Sequence, residues 1–242
     1  MLHLQWTKTK KLKNLFLILS FIISVTSFAQ KELFLEEHDA KPYYFGISLG
    51  FNKASFHSDL HPDFLEQDSI NTAEALNTSG FNLGLSATAK LSKRFELRFN
   101  PQLVFLERDF QYDLRYPSLD GKVILKKVES VITSFPFQVK FLSDRIENFR
   151  VYMMGGVKLD IDLASNATAR KADDMIKIGR FDYGIEAGVG FNFYHRSFIL
   201  SPEIKISNGL NNLHSRNESL NFSRVLGDVR SRMIMFTIHL EG

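Results

Sequence analysis

The chain of 242 residues contains no cysteine, so neither disulfide bonds nor thiolate metal sites contribute to its structure. Its one long apolar run, Leu15–Val25, is too short for a comfortable transmembrane helix of about 20 residues. The zincin motif H-E-x-x-H, the P-loop and the dinucleotide fingerprint are all missing. These absences disfavour an enzyme, and we predict no catalytic residue, no cofactor and no metal site.

Residues 1–29 predict a cleavable secretory signal peptide. Basic residues precede the apolar run, and Ser27 and Ala29 supply the small side chains of a cleavage site. The segment carries four lysines and no acidic residue, so its removal turns the formal net charge of +3 slightly negative. Net charge therefore gives no reason to expect a nucleic-acid partner. We expect residues 30–41 to form a periplasmic N-terminal tail.

Beyond residue 42, apolar residues occupy every second position in eight separate segments. Within Phe181–Phe193, for example, odd-numbered positions are aromatic or aliphatic, and even-numbered positions are polar or glycine. Successive side chains of a strand point to opposite faces, so each segment predicts a strand with one apolar face. The predicted strands lie within residues 43–52, 81–91, 95–105, 134–141, 151–162, 181–193, 198–206 and 233–240.

The connections between these strands alternate in length. Short turns at Ser92–Arg94, Ser143–Asn148 and His195–Arg196 alternate with long polar stretches. Short periplasmic turns and long outer loops are typical of outer-membrane barrels. We predict an all-β fold over residues 42–242: an eight-stranded antiparallel transmembrane β-barrel, located in the outer membrane with both termini periplasmic. The long loops are predicted at about residues 53–78, 107–127, 164–180 and 207–227.

A soluble barrel of the lipocalin kind is the alternative, since it has the same alternation with its apolar face inward. In the membrane version the polar face points into the lumen, which side chains of an eight-stranded barrel can just fill. We therefore expect a charge-compensated network that closes the lumen; a proton or ion path is the functional alternative. The charged residues predicted to face inward are Glu96, Arg98, Lys140, Lys158, Asp160, Asp162, Glu186, Glu203 and Lys205.

The first long loop contains residue types that occur in metal sites and in hydrolases. Two histidines flanked by carboxylates are chemically suited to a metal, and Ser58 with His57 and Asp59 has the composition of a triad. Neighbours in sequence rarely converge in this way, so an exposed polar loop is the simpler interpretation. The residues concerned are His57, Ser58, Asp59, His61 and Asp63.

Arg230 and Arg232 fall on the apolar face at the outer start of the last predicted strand. An arginine at mid-membrane on that face costs about 2–4 kcal/mol, whereas its cost near the interface is close to zero. There the two guanidinium groups could bind lipid phosphates by bidentate hydrogen bonds. The alternative is that the side chains extend towards water without binding a particular lipid.

Two segments carry a resemblance to a known family: FPFQVKF at Phe135–Phe141 and DYGIEAGVGFNFY at Asp182–Tyr194. Over about residues 42–242 the chain resembles the PorT family of small outer-membrane barrels. That resemblance implies a non-catalytic part in type IX protein secretion, and in gliding motility where it is present. The expected partners are other secretion-system proteins at the outer membrane or in the periplasm, together with outer-membrane lipid, and no small-molecule substrate is expected.

Asp68-Ser69-Ile70 has the pattern of the O-glycosylation acceptor found in bacteria with this secretion system, which makes Ser69 a candidate for modification. A general outer-membrane barrel for envelope integrity or adhesion, with no part in secretion, is the alternative function.

Overall fold

The computed structural model describes residues 32–60, 70–118, 121–164, 178–214 and 226–242. Phe34–Gly242 form one compact unit, and of the preceding segment only Glu32 and Leu33 are described. The elements of the compact unit are a short helix, Glu36–Ala40, and the strands β1 (Tyr43–Leu60), β2 (Ile70–Ala75), β3 (Thr78–Lys90), β4 (Phe95–Phe99), β5 (Gln102–Ser118), β6 (Gly121–Leu142), β7 (Phe149–Asp162), β8 (Phe181–Tyr194), β9 (Ile199–Gly209) and β10 (Leu226–Glu241).

The sheet closes on itself, because β1 pairs with β3 on one side and with β10 on the other. β4 and β5 occupy one position in the ring: they are separated only by Asn100 and Pro101, and the pairing with β3 keeps its register across the gap. All pairings are antiparallel and eight positions complete the ring. The predicted eight-stranded antiparallel barrel is therefore confirmed.

The apolar face of the barrel points outward. On β1 the Phe51 side chain is 70% exposed, whereas its neighbour Asn52 is 4% exposed and points into the lumen. The same alternation holds along β8, where apolar residues are exposed and Asp182, Glu186 and Asn192 are buried. The lipocalin alternative is therefore wrong. All nine charged side chains that the alternation placed in the lumen are buried.

The predicted loop at 107–127 is largely a hairpin, because β5 and β6 continue as paired strands up to Ser118 and Gly121. The prediction was wrong because the polarity reverses along β5. Phe110 and Tyr112 face inward and are fully buried, while Glu107 and Asp109 face outward. Part of the predicted loop at 53–78 is likewise strand, since β1 extends to Leu60 and β2 follows at Ile70–Ala75.

The two ends of the barrel differ. The end that carries the tight connections 91–94, 143–148 and 195–198 is called the turn end, and the opposite one the loop end. The segment expected to be an N-terminal tail contains the helix Glu36–Ala40, which lies at the turn end beside Arg145 and Lys90. No helix in the described ranges is long and apolar enough to span a membrane.

Candidate functional site

The lumen is the densest concentration of polar side chains in the described residues, and an ion pair lies at its centre. Arg98 on β4 and Glu203 on β9 lie 2.5 Å apart (Nη2 to Oε2), and both side chains are fully buried. Glu203 also accepts a hydrogen bond from the Tyr152 hydroxyl at 2.8 Å, and Arg98 Nε donates to Gln138 Oε1 at 2.5 Å. Such a pair is sustained in a low-dielectric interior only with the help of further hydrogen bonds, and each partner makes one here, although Arg98 Nη1 and Glu203 Oε1 have none.

A second layer lies towards the turn end. Lys140 Nζ is 3.3 Å from Glu96 Oε2 and 3.9 Å from Glu241 Oε2. The Tyr44 hydroxyl donates to Glu96 at 2.7 Å, and the Tyr152 ring lies 4.4 Å below the Lys140 ammonium. One cation is thus shared between two carboxylates and an aromatic face, and Tyr152 connects this layer to the Arg98–Glu203 pair.

A third layer lies towards the loop end. Lys158 Nζ contacts Asp160 Oδ2 at 2.5 Å, and Ser134 donates to the other oxygen of that carboxylate. Arg108 lies 3.7 Å from Asp162. A cavity beside Arg108 and Asp160 has a volume of only about 10 Å³, which is roughly the room that one water molecule needs. The side chains therefore leave little space for solutes at this level.

The loop end of the lumen is closed by apolar side chains. Phe56 and Phe110 stack with their ring centroids 5.3 Å apart, and the Arg108 guanidinium lies 4.1 Å from the Phe56 ring on the lumen side. Arg108 thus marks the boundary between the ionic layers and this apolar closure. The cluster, here called the loop-end cluster, comprises Phe56, Phe110, Tyr112, Leu114, Ile178, Leu213 and Val229.

The turn end is closed by the helix Glu36–Ala40. His38 is 3% exposed, with its ring 4.6 Å from that of Tyr44, and its carbonyl oxygen accepts a hydrogen bond from Lys90 Nζ. Asp39 pairs with Arg145 at 3.0 Å, which fixes the helix to the β6–β7 turn. Burial, with the nearby Lys90 charge second, lowers the pKa of His38 to about 4. This helix was not recognised from sequence as a closure, although its acidic composition opposite basic turn residues was the available signal.

The candidate triad in the first loop is not assembled. His57, Ser58 and Asp59 are consecutive residues of β1, so Ser58 points to the opposite face from its two neighbours. His61, Asp63, Asp68 and Ser69 lie outside the described residues. Among the residues that the structure describes, no group of three or more His, Cys, Asp or Glu side chains is placed to hold a metal ion.

A second short motif, G-x-S-x-G, also does not provide a catalytic serine. Gly46–Gly50 has the G-x-S-x-G spacing, but it lies inside β1 and not at the strand-to-helix turn that exposes such a serine. Ser48 is buried and accepts a hydrogen bond from the Asn100 amide at 3.2 Å. The sequence match is therefore a consequence of small residues alternating on the inner face of the strand.

Arg230 and Arg232 lie where the sequence placed them, exposed on the outward face of β10 near the loop end. Arg230 pairs with Asp228 at 3.1 Å, with both side chains about half exposed. Arg232 is paired in register with Ser55 of β1. Neither arginine lies over the apolar exterior formed by the central parts of the strands.

A closed antiparallel ring with an apolar exterior and an ionic interior defines the class of outer-membrane β-barrel proteins, since it satisfies every ladder bond and presents hydrocarbon to lipid. The chain belongs to the family described as outer membrane protein beta-barrel domain, whose model matches residues 28–215. None of the curated proteins compared with the chain matches it.

Solved structures with a similar course of the chain are also outer-membrane or surface proteins. OprG from Pseudomonas aeruginosa is 18% identical, with a TM-score of 0.44, covering 84% of this chain and 97% of OprG. Neisserial surface protein A is 13% identical, with a TM-score of 0.41, covering 81% and 96%. Ail of Yersinia pestis, in complex with the heparin analogue sucrose octasulfate, is 13% identical, with a TM-score of 0.40, covering 84% and 100%.

Proposed function

We propose that this protein is a non-catalytic accessory or assembly factor of type IX protein secretion that acts through protein partners. In this proposal the signal peptide of residues 1–29 is removed, the turn end and both termini are periplasmic, and the loop end faces the outside. The observation that carries the proposal is the complete burial of the Arg98–Glu203 pair at the centre of the lumen. A barrel filled in this way offers surfaces to partners and no route to cargo.

The assignment to secretion is supported by the PorT-like segments Phe135–Phe141 and Asp182–Tyr194, which form the C-terminal third of β6 and nearly all of β8. These strands are neighbours of β7 on one side of the ring. The partners are other secretion-system proteins at the outer membrane or in the periplasm. The turn end offers them a charged surface, on which the exposed side chains of Arg94 and Asp144 pair at 2.9 Å.

The test compares the proteins released into the medium by a deletion strain, its parent and a complemented strain. We expect the deletion to lose exported cargo from the medium and to accumulate it in the periplasm, with recovery on complementation. Normal export in the deletion strain would contradict the proposal. Sensitivity to a large antibiotic, measured in parallel, separates a specific secretion defect from general damage to the outer membrane.

A general barrel for envelope integrity or adhesion is the second candidate. It is favoured by the β5–β6 hairpin, which extends past the apolar exterior and carries an outward ion pair, Lys127–Glu107, at 2.7 Å. For this function we expect a deletion strain with unchanged export but altered surface attachment or antibiotic sensitivity. A variant lacking residues 115–121, closed by a short turn, leaves Phe110, Tyr112 and Leu114 in place and should keep the ring while losing attachment.

A further inference from the structure

Four cationic or titratable side chains lie together on the outward face of β1 and β10, at the loop end of the apolar exterior. Lys53 and His57 belong to β1, Arg230 and Arg232 belong to β10, and all four are exposed. His57 is paired in register with Arg230. Ser55, which lies between Lys53 and His57 on the same face of β1, is paired with Arg232. Lys53 and Arg232 form no ion pair with a carboxylate in the described part of the chain, while Arg230 is paired with Asp228 and Asp59 follows His57 on the same face of β1. These four residues are called the cationic patch.

A row of aromatic side chains marks the border between this patch and the apolar exterior. Phe51 is paired in register with Phe236 on one side and with Phe81 on the other, and Phe81 is paired with Phe105. The Phe81 and Phe105 rings stack at 4.7 Å. Aromatic girdles of this kind lie at the interface between hydrocarbon and headgroups. The patch, two to six residues farther along β1, therefore lies at headgroup level.

A groove of about 690 Å³ opens on the other side of the aromatic row, in the same part of the wall. Two of its outward side chains, Pro101 and Thr133, are small. Leu103, two residues after Pro101, is paired in register with Thr133. Larger aliphatic side chains stand around these positions, so the surface between them is recessed. The lining residues on the outward face are Ile47, Leu49, Leu83, Leu85, Pro101, Leu103, Thr133, Ile238 and Leu240.

The patch and the groove share two strands. On β1 the groove residue Leu49 precedes Lys53 by four residues, or about 13 Å at 3.3 Å per residue. On β10 the groove residue Ile238 follows Arg232 by six residues, or about 20 Å at the same rise. An anionic headgroup at the patch would therefore place its hydrocarbon chain across the aromatic row and into the groove. Neither feature alone specifies a ligand, but together they fit an acylated phosphate.

We infer that the cationic patch and the groove form one binding site for a phosphorylated, acylated glycolipid of the lipid A type. Arg230 and Arg232 bind phosphate by their planar guanidinium groups, and Lys53 adds a point charge. One acyl chain lies in the groove over Pro101 and Thr133. The choice of lipid A rests on the proposed orientation, because lipid A belongs to the outer leaflet, and it is independent of any role in secretion.

The test is a titration of the purified barrel in detergent with bisphosphorylated lipid A, followed by native mass spectrometry. We expect Arg230→Gln with Arg232→Gln to weaken binding by about tenfold or more, since each basic residue near a surface contributes about 1 kcal/mol to anionic lipid binding. Lys41→Gln with Lys93→Gln removes the same charge from the turn end and should leave binding unchanged. Arg230→Lys with Arg232→Lys should fall between the two, because charge is kept and the bidentate geometry is lost.

The groove is tested separately with Thr133→Phe, which fills it, and Ala89→Phe, an outward change that does not line it. We expect only Thr133→Phe to weaken lipid A binding. Dephosphorylated lipid A should bind more weakly than lipid A, and inorganic pyrophosphate should fail to displace it. Equal binding by the arginine double variant, or full displacement by pyrophosphate, would overturn the inference. Heat-modifiable migration on a gel verifies that every variant is folded.

Discussion

The side-chain amide of Asn100 donates a hydrogen bond of 2.6 Å to the carbonyl oxygen of Leu85, beside the proline that follows it. Leu85 N–H donates to the Pro101 carbonyl at 2.9 Å, so these two residues are a hydrogen-bonded antiparallel pair. Such a pair normally exchanges two bonds, but Pro101 has no N–H to give. Asn100 therefore supplies from its side chain the donor that the backbone of the next residue lacks.

This relationship predicts that Asn100→Ala destabilises the barrel by about 1–3 kcal/mol, because the Leu85 carbonyl is left without its donor in the wall. Pro101→Ala restores the backbone N–H, so the double variant should recover part of the loss. The free energy of unfolding, measured by urea titration in lipid vesicles, gives the coupling between the two positions. Asn82→Ala is the control: its amide contacts Gln102 at 3.1 Å, and Pro101→Ala should not rescue it.

The Arg98–Glu203 pair predicts that replacing one partner lowers the free energy of unfolding more than replacing both. Glu203→Leu leaves the Arg98 guanidinium buried without its carboxylate, and breaking a buried pair in this way costs about 3–5 kcal/mol. Arg98→Leu with Glu203→Leu should cost less than either single change, because no unpaired charge remains. Refolding yield and urea unfolding are the measurements. A double variant that is less stable than both single variants would show that the cost does not come from an unpaired buried charge.

The ionic layers of the lumen and the closures at its two ends predict that the barrel does not conduct ions in a planar lipid bilayer. Phe110→Ala removes a buried ring from the loop-end cluster and should cost about 3–5 kcal/mol. Conductance should nevertheless remain absent, because the Arg98–Glu203 and Lys140–Glu96 layers still fill the lumen below. Stable single-channel events in the unmodified protein would be incompatible with a filled lumen. A porin reconstituted under the same conditions serves as the positive control.

Acidification should release the turn-end helix. Burial lowers the pKa of His38 to about 4, below its ordinary value of 6.5, so the undocked helix binds the proton more readily. Docking is therefore fully stable above about pH 6.5 and weakens progressively as the pH falls towards 4. At pH 5 the loss is at most about 2 kcal/mol. Lys90 opposes protonation of His38, whereas Asp39, Glu96 and Glu241 favour it.

Hydrogen exchange of the Glu36–Ala40 amides at pH 7.5 and pH 5, corrected for intrinsic rates, measures this release. Exchange should accelerate at pH 5 in the unmodified chain. His38→Gln has no proton to gain, so its docking should show the same protection at both values. Equal protection of the unmodified helix at the two pH values would show that His38 does not control docking.

The ring and its outward apolar face were predictable because one physical rule governs the membrane-facing strands: apolar side chains point towards lipid, and polar or small ones point into the lumen. Phe181–Phe193 and Tyr43–Asn52 obey it without exception, and Glu96, Arg98 and Glu203 were correctly assigned to the lumen. The outer half of the β5–β6 hairpin was missed because the rule inverts in water: Phe110 and Tyr112 turn inward there. The pairing of Arg98 with Glu203 could not be predicted, since the strands are far apart in sequence and their partners depend on the stagger of the whole ring.

The inversion of polarity along β5 has a consequence for biogenesis. Towards the turn end, the apolar side chains of the hairpin face outward and are stable against hydrocarbon. Towards the loop end, those of β5 face inward, as in an ordinary water-soluble protein. Because Glu107 and Asp109 face outward, the part towards the loop end has no stable arrangement while it is surrounded by lipid. We therefore expect Phe56, Phe110 and Tyr112 to assemble only after this part of the hairpin has left the hydrocarbon layer.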